Sequence, residues 1–200
     1  MRTKTSVQAD KMLDAAAHLF GTHRFHEVRM EDIAAEAAVG KGTLYRYFSD
    51  KEELYLALLE RASRRYVACL EDEVGPVVGA RDKLIAFVKA VIAYFDQQPH
   101  LFDLIQRAEI LRGTGEGFPW KQARDETLRI VAEIFDLGVT RGEFRVREAE
   151  LRALMFLGGL RAVLRFGKRP RPRDLGDRIV EGFLSGADAG APSGVDPQQN

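Results

Sequence analysis

Seven consecutive residues, Lys41-Gly42-Thr43-Leu44-Tyr45-Arg46-Tyr47, bring together an amine, a guanidinium, a hydroxyl, two phenols and a glycine. From Ala38 to Lys51 three basic residues (Lys41, Arg46 and Lys51) face one acid, Asp50. Such groups donate hydrogen bonds to phosphate oxygens and base edges, and glycine lets a backbone come close. Leu44 and Phe48 are four apart, so one face of a helix carries both and can hold it to a core. Lys41, Gly42, Thr43, Tyr45, Arg46 and Tyr47 then face outward. Ahead of them Glu31–Ala37 reads as a short helix with Ile33 and Ala34 inward, followed by a tight turn at Ala38-Val39-Gly40. This is the layout of a helix-turn-helix, whose second helix enters a groove of duplex DNA. It is equally the layout of a plain corner in a helical bundle.

Other chemistry is sparse. His23 and His26 are three apart with His18 nearby, but a metal site wants more ligands in a set geometry and Cys69 is remote. Helix-end histidines are the simpler reading, and no metal is expected. Neither a glycine-rich phosphate loop after a strand nor a nucleophile elbow is found. No catalytic residue and no cofactor is therefore assigned.

The elements that must position the 41–51 segment are helices. Sustained period-2 alternation is missing, whereas apolar residues recur at three- and four-residue spacing. Met12, Leu13, Ala16, Ala17, Leu19 and Phe20 mark a first helix over about Val7–Thr22. Ser49-Asp50-Lys51-Glu52 predicts a capping box, with Ser49 as cap and Glu52 reaching back, opening a helix that runs to about Glu73. Gly75-Pro76 stops it and marks the change of organisation. Further helices are expected at Arg81–Gln98, at His100–Leu111, from Pro119 to about Thr140, at Glu148–Phe166 and at Asp174–Ser185.

Composition sets the limits. The chain has 200 residues, 46% of them hydrophobic, enough for a sizeable core. Thirty basic and thirty acidic side chains cancel, which excludes an indiscriminate polycation; any nucleic-acid contact must come from local charge. One cysteine excludes an intrachain disulfide and fits a reducing cytoplasm. Met1–Asp10 lacks the apolar core of a signal peptide, and apolar runs such as Ala153–Leu160 fall short of the roughly 20 residues a membrane span needs. A cytoplasmic protein with no membrane partner is expected.

The stretch Ala37-Ala38-Val39-Gly40-Lys41-Gly42-Thr43-Leu44-Tyr45-Arg46-Tyr47-Phe48-Ser49-Asp50-Lys51-Glu52-Glu53-Leu54 resembles the signature of the tetracycline-repressor (TetR) family. The lead-in does too: Ala16-Ala17, Leu19-Phe20, Phe25 and Asp32-Ile33-Ala34. The likeness covers about residues 8–60 in spacing and residue type, and beyond them only the helical layout. It implies an all-α fold: an N-terminal three-helix helix-turn-helix DNA-binding domain (1–51) joined to a C-terminal helical ligand-binding and dimerisation domain (52–186); residues 187–200, small, polar and proline-bearing, are expected to be a disordered tail. It implies a homodimeric repressor that a small molecule, not identified by the sequence, releases from a palindromic double-stranded operator. A helical enzyme or carrier with a vestigial helix-turn-helix is the alternative.

By position, the resemblance gives Lys41, Gly42 and Thr43 the start of the recognition helix, against base edges or nearby phosphates. Tyr45, Arg46 and Tyr47 fill its other contact slots. Lys51 would hold a phosphate, helped by the N–H groups of its helix N-terminus. Three departures stand out. Arg24 and Ala38 replace usual glycines, and Arg29-Met30 replace the usual threonines, with Arg29 offering a phosphate contact instead.

The second half is rich in aromatics and apolar residues. Phe87, Val91, Tyr94, Phe102, Ile105 and Trp120 are candidates to line an effector cavity, with Gln106, Glu109 and Arg124 as polar groups; each also fits plain core packing. Arg107 and Arg124 would suit a carboxylate or phosphate. Gly158-Gly159 inside an apolar helix lowers helix propensity, which close helix approach would explain. Gly158, Leu175, Ile179 and Phe183 are accordingly assigned to a dimer face, and the likeness implies a four-helix bundle there. The basic run Arg165–Arg173 reads as a solvated loop, away from the main DNA contact.

Overall fold

The computed structural model describes residues 4–113, 115–145 and 148–188, and among them every regular element is α-helical. In chain order these are α1 Lys4–Thr22, α2 Met30–Glu36, α3 Lys41–Tyr47, α4 Lys51–Val74, α5 Ala80–Gln97, α6 Leu101–Arg112, α7 Lys121–Thr140, α8 Ala149–Phe166 and α9 Leu175–Asp188. The expected helices are all present. Pro119 precedes α7 by two residues instead of opening it, and α9 continues three residues past Ser185. Residues 187 and 188, expected in the tail, are helical; the rest of that tail, 189–200, lies outside the described residues.

Two compact units can be drawn: Met1–Ala68 with Tyr94–Arg124, and Cys69–Ala93 with Asp125–Asn200. They differ from the division at residue 51 in the sequence reading, because the start of α4 and all of α6 share the first unit with α1–α3. Unit one is built around Met12, Ala16, Ile33, Leu44, Leu54 and Leu59, each wholly buried. Arg61 of α4 is buried with them. Its guanidinium donates to the Asp10 carbonyl at 3.0 Å and pairs with the Asp14 carboxylate at 2.8 Å, tying α1 to α4.

In unit two the wholly buried residues include Leu70, Leu84, Phe87, Val88, Val131 and Phe135. Phe135 packs edge-on against Phe144 and Phe156 with ring centroids 6.0 Å away. Gly138 is required here: a Cβ on it would fall inside the Phe144 ring.

The turn between α2 and α3 explains its own sequence. Ala38 sits at φ 52°, in the left-handed region. Val39 N–H donates to the Ala34 carbonyl at 2.9 Å and Ala38 N–H to that of Ala35 at 3.0 Å, the paired bonds of a Schellman cap. A Cβ in that conformation costs about 1 kcal/mol. Ala38→Gly is therefore expected to stabilise the chain by about 1 kcal/mol and raise Tm by about 2–4 °C, read by calorimetry. Gly40 is extended (φ −67°, ψ 145°) and caps α3 with its carbonyl.

At the start of α4 the capping residues are shifted by one from the sequence reading. Asp50, not Ser49, is the cap, accepting from Glu53 N–H at 2.8 Å. Glu53, not Glu52, reaches back, accepting from Ser49 N–H at 2.7 Å and from its hydroxyl at 2.6 Å. Both neighbouring pairs contain residues able to play these parts, so the pattern did not fix the register.

Candidate nucleic-acid interface

The α3 helix is held from behind by Leu44, wholly buried, and Phe48, nearly so. Burying a leucine is worth roughly 1.5–3 kcal/mol and contributes to seating this helix of seven residues. Its other side is open. Lys41, Gly42, Tyr45 and Arg46 are exposed, Tyr45 at 41%, while Thr43 and Tyr47 are half-buried. A Cβ on Gly42 would meet nothing within 4 Å, so the surface there is free for close backbone approach. Arg46 stacks over the Tyr47 ring at 5.8 Å, and Lys41 lies 5.8 Å from the Tyr45 ring. Arg29 is exposed at the start of α2, where its N–H donates to the Asp32 carboxylate at 2.9 Å.

Three of the expected contacts are already engaged. Lys41 pairs with Glu31 of α2 at 2.5 Å. That hydrogen bond holds the Lys41 ammonium above its ordinary pKa and the Glu31 carboxyl below its own. A phosphate must compete with Glu31 for this amine. Glu31→Gln is thus expected to tighten DNA binding and steepen the salt dependence by about one ion, measured by titrations across salt concentrations. Tyr47 donates its hydroxyl hydrogen to Gln8 of α1 at 3.3 Å and would have to leave it to serve a phosphate.

Lys51 departs furthest from expectation. Its ammonium turns inward, donating to the carbonyls of Phe25 at 2.8 Å and Val28 at 2.9 Å, 4.5 Å above the Phe25 ring. Burial lowers its pKa. Two of its three donors close the loop between α1 and α2 onto α4. The N-terminus of α4 is likewise served by Asp50. Lys51→Met is expected to lower stability by about 2 kcal/mol in denaturant titrations, while leaving the salt slope of DNA binding unchanged.

Behind Lys51 lies a support that the sequence did not reveal. Phe25 stacks on Phe20 at 5.1 Å and meets Tyr55 edge-on at 5.1 Å. Tyr55 is buried, donates to the Leu104 carbonyl of α6, and has its phenol pushed up to about 12 by desolvation. Arg107, also on α6, covers Phe25 at 4.3 Å. Phe20 apart, the partners of Phe25 and Tyr55 lie tens of residues away in sequence, so no local pattern carries the signal.

The residues nominated for an effector are divided between the units. Phe87 and Val91 are core of unit two. Tyr94, Phe102, Ile105, Gln106, Glu109, Trp120 and Arg124 belong to unit one. Tyr94 and Trp120 pack around Tyr66 at 5.2 and 5.4 Å, Phe102 meets Phe95 at 5.8 Å, and the Tyr94 hydroxyl donates to the Ala62 carbonyl at 2.8 Å. Gln106, Glu109 and Arg124 are half-buried.

In unit two, α8 exposes Leu151, Leu154, Met155 and Phe166, the last at 76%. Gly158 and Gly159 share this open side, and a Cβ on either meets nothing within 4 Å. Close approach by another helix of the described chain therefore does not explain these glycines. On α9, Leu175, Ile179 and Phe183 are half-buried, Phe183 packing on Phe156 at 5.0 Å. The sequence reading named Gly158 but not the exposed α8 residues, because hydrophobicity does not tell intrachain from interchain burial. Among the described residues no group of histidines, cysteines and carboxylates could hold a metal ion, and no helix is long and apolar enough to cross a membrane.

The model of the bacterial regulatory proteins of the tetR family matches residues 12–58, the segment carrying α2, α3 and most of their support. Over that segment the chain is similar to the tetR family. It is 33% identical over 95 residues to the transcriptional activator FasR of Mycolicibacterium smegmatis, covering 48% of this chain and 43% of FasR. It is 31% identical over 98 residues to an HTH-type transcriptional regulator of Mycobacterium tuberculosis, covering 49% and 48%. The alignments thus span about half of these relatives. A likeness in overall fold extends further. The crystal structure of FadR from Bacillus subtilis, in complex with stearoyl-CoA, superposes with a TM-score of 0.73 at 20% identity, covering 88% of this chain and 98% of that one. The two sequence relatives are named as a transcriptional regulator and a transcriptional activator.

Proposed function

We propose that this chain is a homodimeric, sequence-specific DNA-binding regulator of the tetR family, cytoplasmic and released from a palindromic operator by a small molecule. The observation that carries the reading is the α3 surface: Lys41, Gly42, Tyr45 and Arg46 outward, Leu44 and Phe48 inward. Arg46 is the reading side chain, suited to bidentate contact with guanine O6 and N7. Thr43 and Tyr45 flank it on base edges and sugar-phosphate, Lys41 serves a phosphate in exchange with Glu31, and Arg29 lies outward at the start of α2. Lys51 acts as a latch behind the interface instead of touching DNA.

Dimerisation is assigned to the exposed apolar side of α8, with Gly158 letting a partner helix approach, and to Leu175, Ile179 and Phe183 of α9. Release requires a ligand that binds two spacings of the reading heads unequally. The residues from Phe87 to Arg124 named above remain the candidates for contact with it. The FadR likeness supports the fold, and its acyl-CoA is not carried over. Selection of bound duplexes from a random-sequence pool, followed by gel retardation at two salt concentrations, tests the reading. Enrichment of an inverted repeat is expected; a pool that stays random, with no retardation at low salt, would refute it.

A further inference from the structure

Unit one holds a cavity and a cleft that share lining residues. The cavity, of about 310 Å³, is walled mainly by apolar groups: Ala17, Leu58, Ala62, Leu101 and Leu104 are among them. The cleft, of about 600 Å³, is lined by His23, Arg24, His26, His100 and Arg107, with Asp103 as its carboxylate. Gly21, Thr22, His100 and Leu104 belong to both. His100 stands at the junction, its ring so near Gly21 that an added Cβ would lie 2.9 Å from it. Two guanidinium groups and one carboxylate line the cleft, and Glu27 at its edge accepts from the Arg24 N–H at 3.0 Å. Neither guanidinium is paired with a carboxylate among the described residues; Arg107 is spent on the face of Phe25, at 4.3 Å. All four histidines of the chain line one space or the other.

We propose that these two spaces form one binding site for a compact amphipathic organic anion. Its apolar body fills the cavity beside Leu58 and Leu104, and its anionic head lies in the cleft between Arg24 and Arg107, with His100 at the neck. Arginine suits the head because it presents a planar fork of donors to a carboxylate or phosphate. An apolar wall with few convergent polar groups is the usual make-up of a small-molecule site. The site is distinct from the aromatic cluster around Tyr66. It borders Phe25, whose carbonyl Lys51 holds, so a head group that draws Arg107 off the ring loosens the support behind the helix-turn-helix. That consequence rests on the DNA-binding reading; the binding itself does not.

The test uses the full chain without DNA and 4-phenylbutyrate as the probe, with 4-phenylbutan-1-ol as its uncharged counterpart, by titration calorimetry. Phenylbutyrate is expected to bind at least tenfold more tightly than the alcohol. Arg24→Gln with Arg107→Gln should bring it to the level of the alcohol, whose own affinity stays unchanged. Arg24→Gln alone, which touches no ring, should give an intermediate loss of severalfold. Ala17→Phe, on an exposed position that lines the cavity, should weaken both probes. Equal affinity for anion and alcohol, or a phenylbutyrate affinity that either the double arginine variant or Ala17→Phe leaves unchanged, would overturn the proposal. Since no DNA is present, failure here leaves the DNA-binding reading intact, and failure of that reading leaves this result standing.

Discussion

Reversing one charge on α3, by Arg46→Glu, is expected to weaken operator binding about a hundredfold or more. A guanidinium that reads guanine supplies about 1–3 kcal/mol of discrimination, and one that meets a phosphate contributes about one ion to the salt slope. A carboxylate removes either contact and adds repulsion from the phosphate rows. The fold should not change, because Arg46 is exposed and its contact is with a ring of its own helix, that of the half-buried Tyr47. Arg46→Gln separates the two parts Arg46 could play. If the residue reads a base, Gln relaxes preference at one operator position in each half-site. If it holds phosphate, Gln lowers affinity evenly across sequences and flattens the salt slope by about one. Gel retardation with the selected operator and single-base variants of it distinguishes these, and circular dichroism confirms the fold.

A second large effect is expected from α8. Leu154→Glu combined with Met155→Glu should convert the dimer to monomers in sedimentation velocity and weaken operator binding about a thousandfold. Both residues are more than half exposed, Met155 at 56%, so neither carboxylate enters the core of the chain. In a dimer each would lie in an apolar seam, and burying an unpaired charge costs several kcal/mol. Affinity then falls because two linked reading heads gain about 10²–10⁴ from effective concentration over one head alone. A monomer that keeps full affinity would show that the stride between heads plays no part. Dimers that survive both substitutions would move the interface away from α8.

Much of this was legible from residue order. Stripes at three- and four-residue spacing placed each helix, since an amphipathic face must repeat with the helical turn. Leu44 and Phe48 identified the inner side of α3, and with it the outward residues. Ala38 in place of a glycine pointed to a strained turn, and its φ of 52° is that strain. What escaped depends on the third dimension. Lys51 begins a helix, and its side chain could point to solvent or inward; only the convergence of the Phe25 and Val28 carbonyls decides it. Tyr47 finds Gln8 across 39 residues of chain. The cavity and cleft combine α1, α4 and the start of α6, so their charges are invisible in any window of sequence. The apolar residues of α8 were read as a helix rich in hydrophobics, and the structure alone separates Phe156 and Leu160, buried, from Leu151, Leu154 and Met155, exposed.

The claim on which the rest depends is that the outward face of α3 enters the major groove twice, once from each member of a pair. Methylation-protection footprinting of guanine N7 on the selected operator measures this most directly. Two protected patches are expected on one side of the duplex, separated by one helical turn of about 10 base pairs or a multiple of it, both lost with Arg46→Glu. A single patch, guanine N7 positions left unprotected by bound protein, or a footprint that persists in Arg46→Glu would contradict that claim.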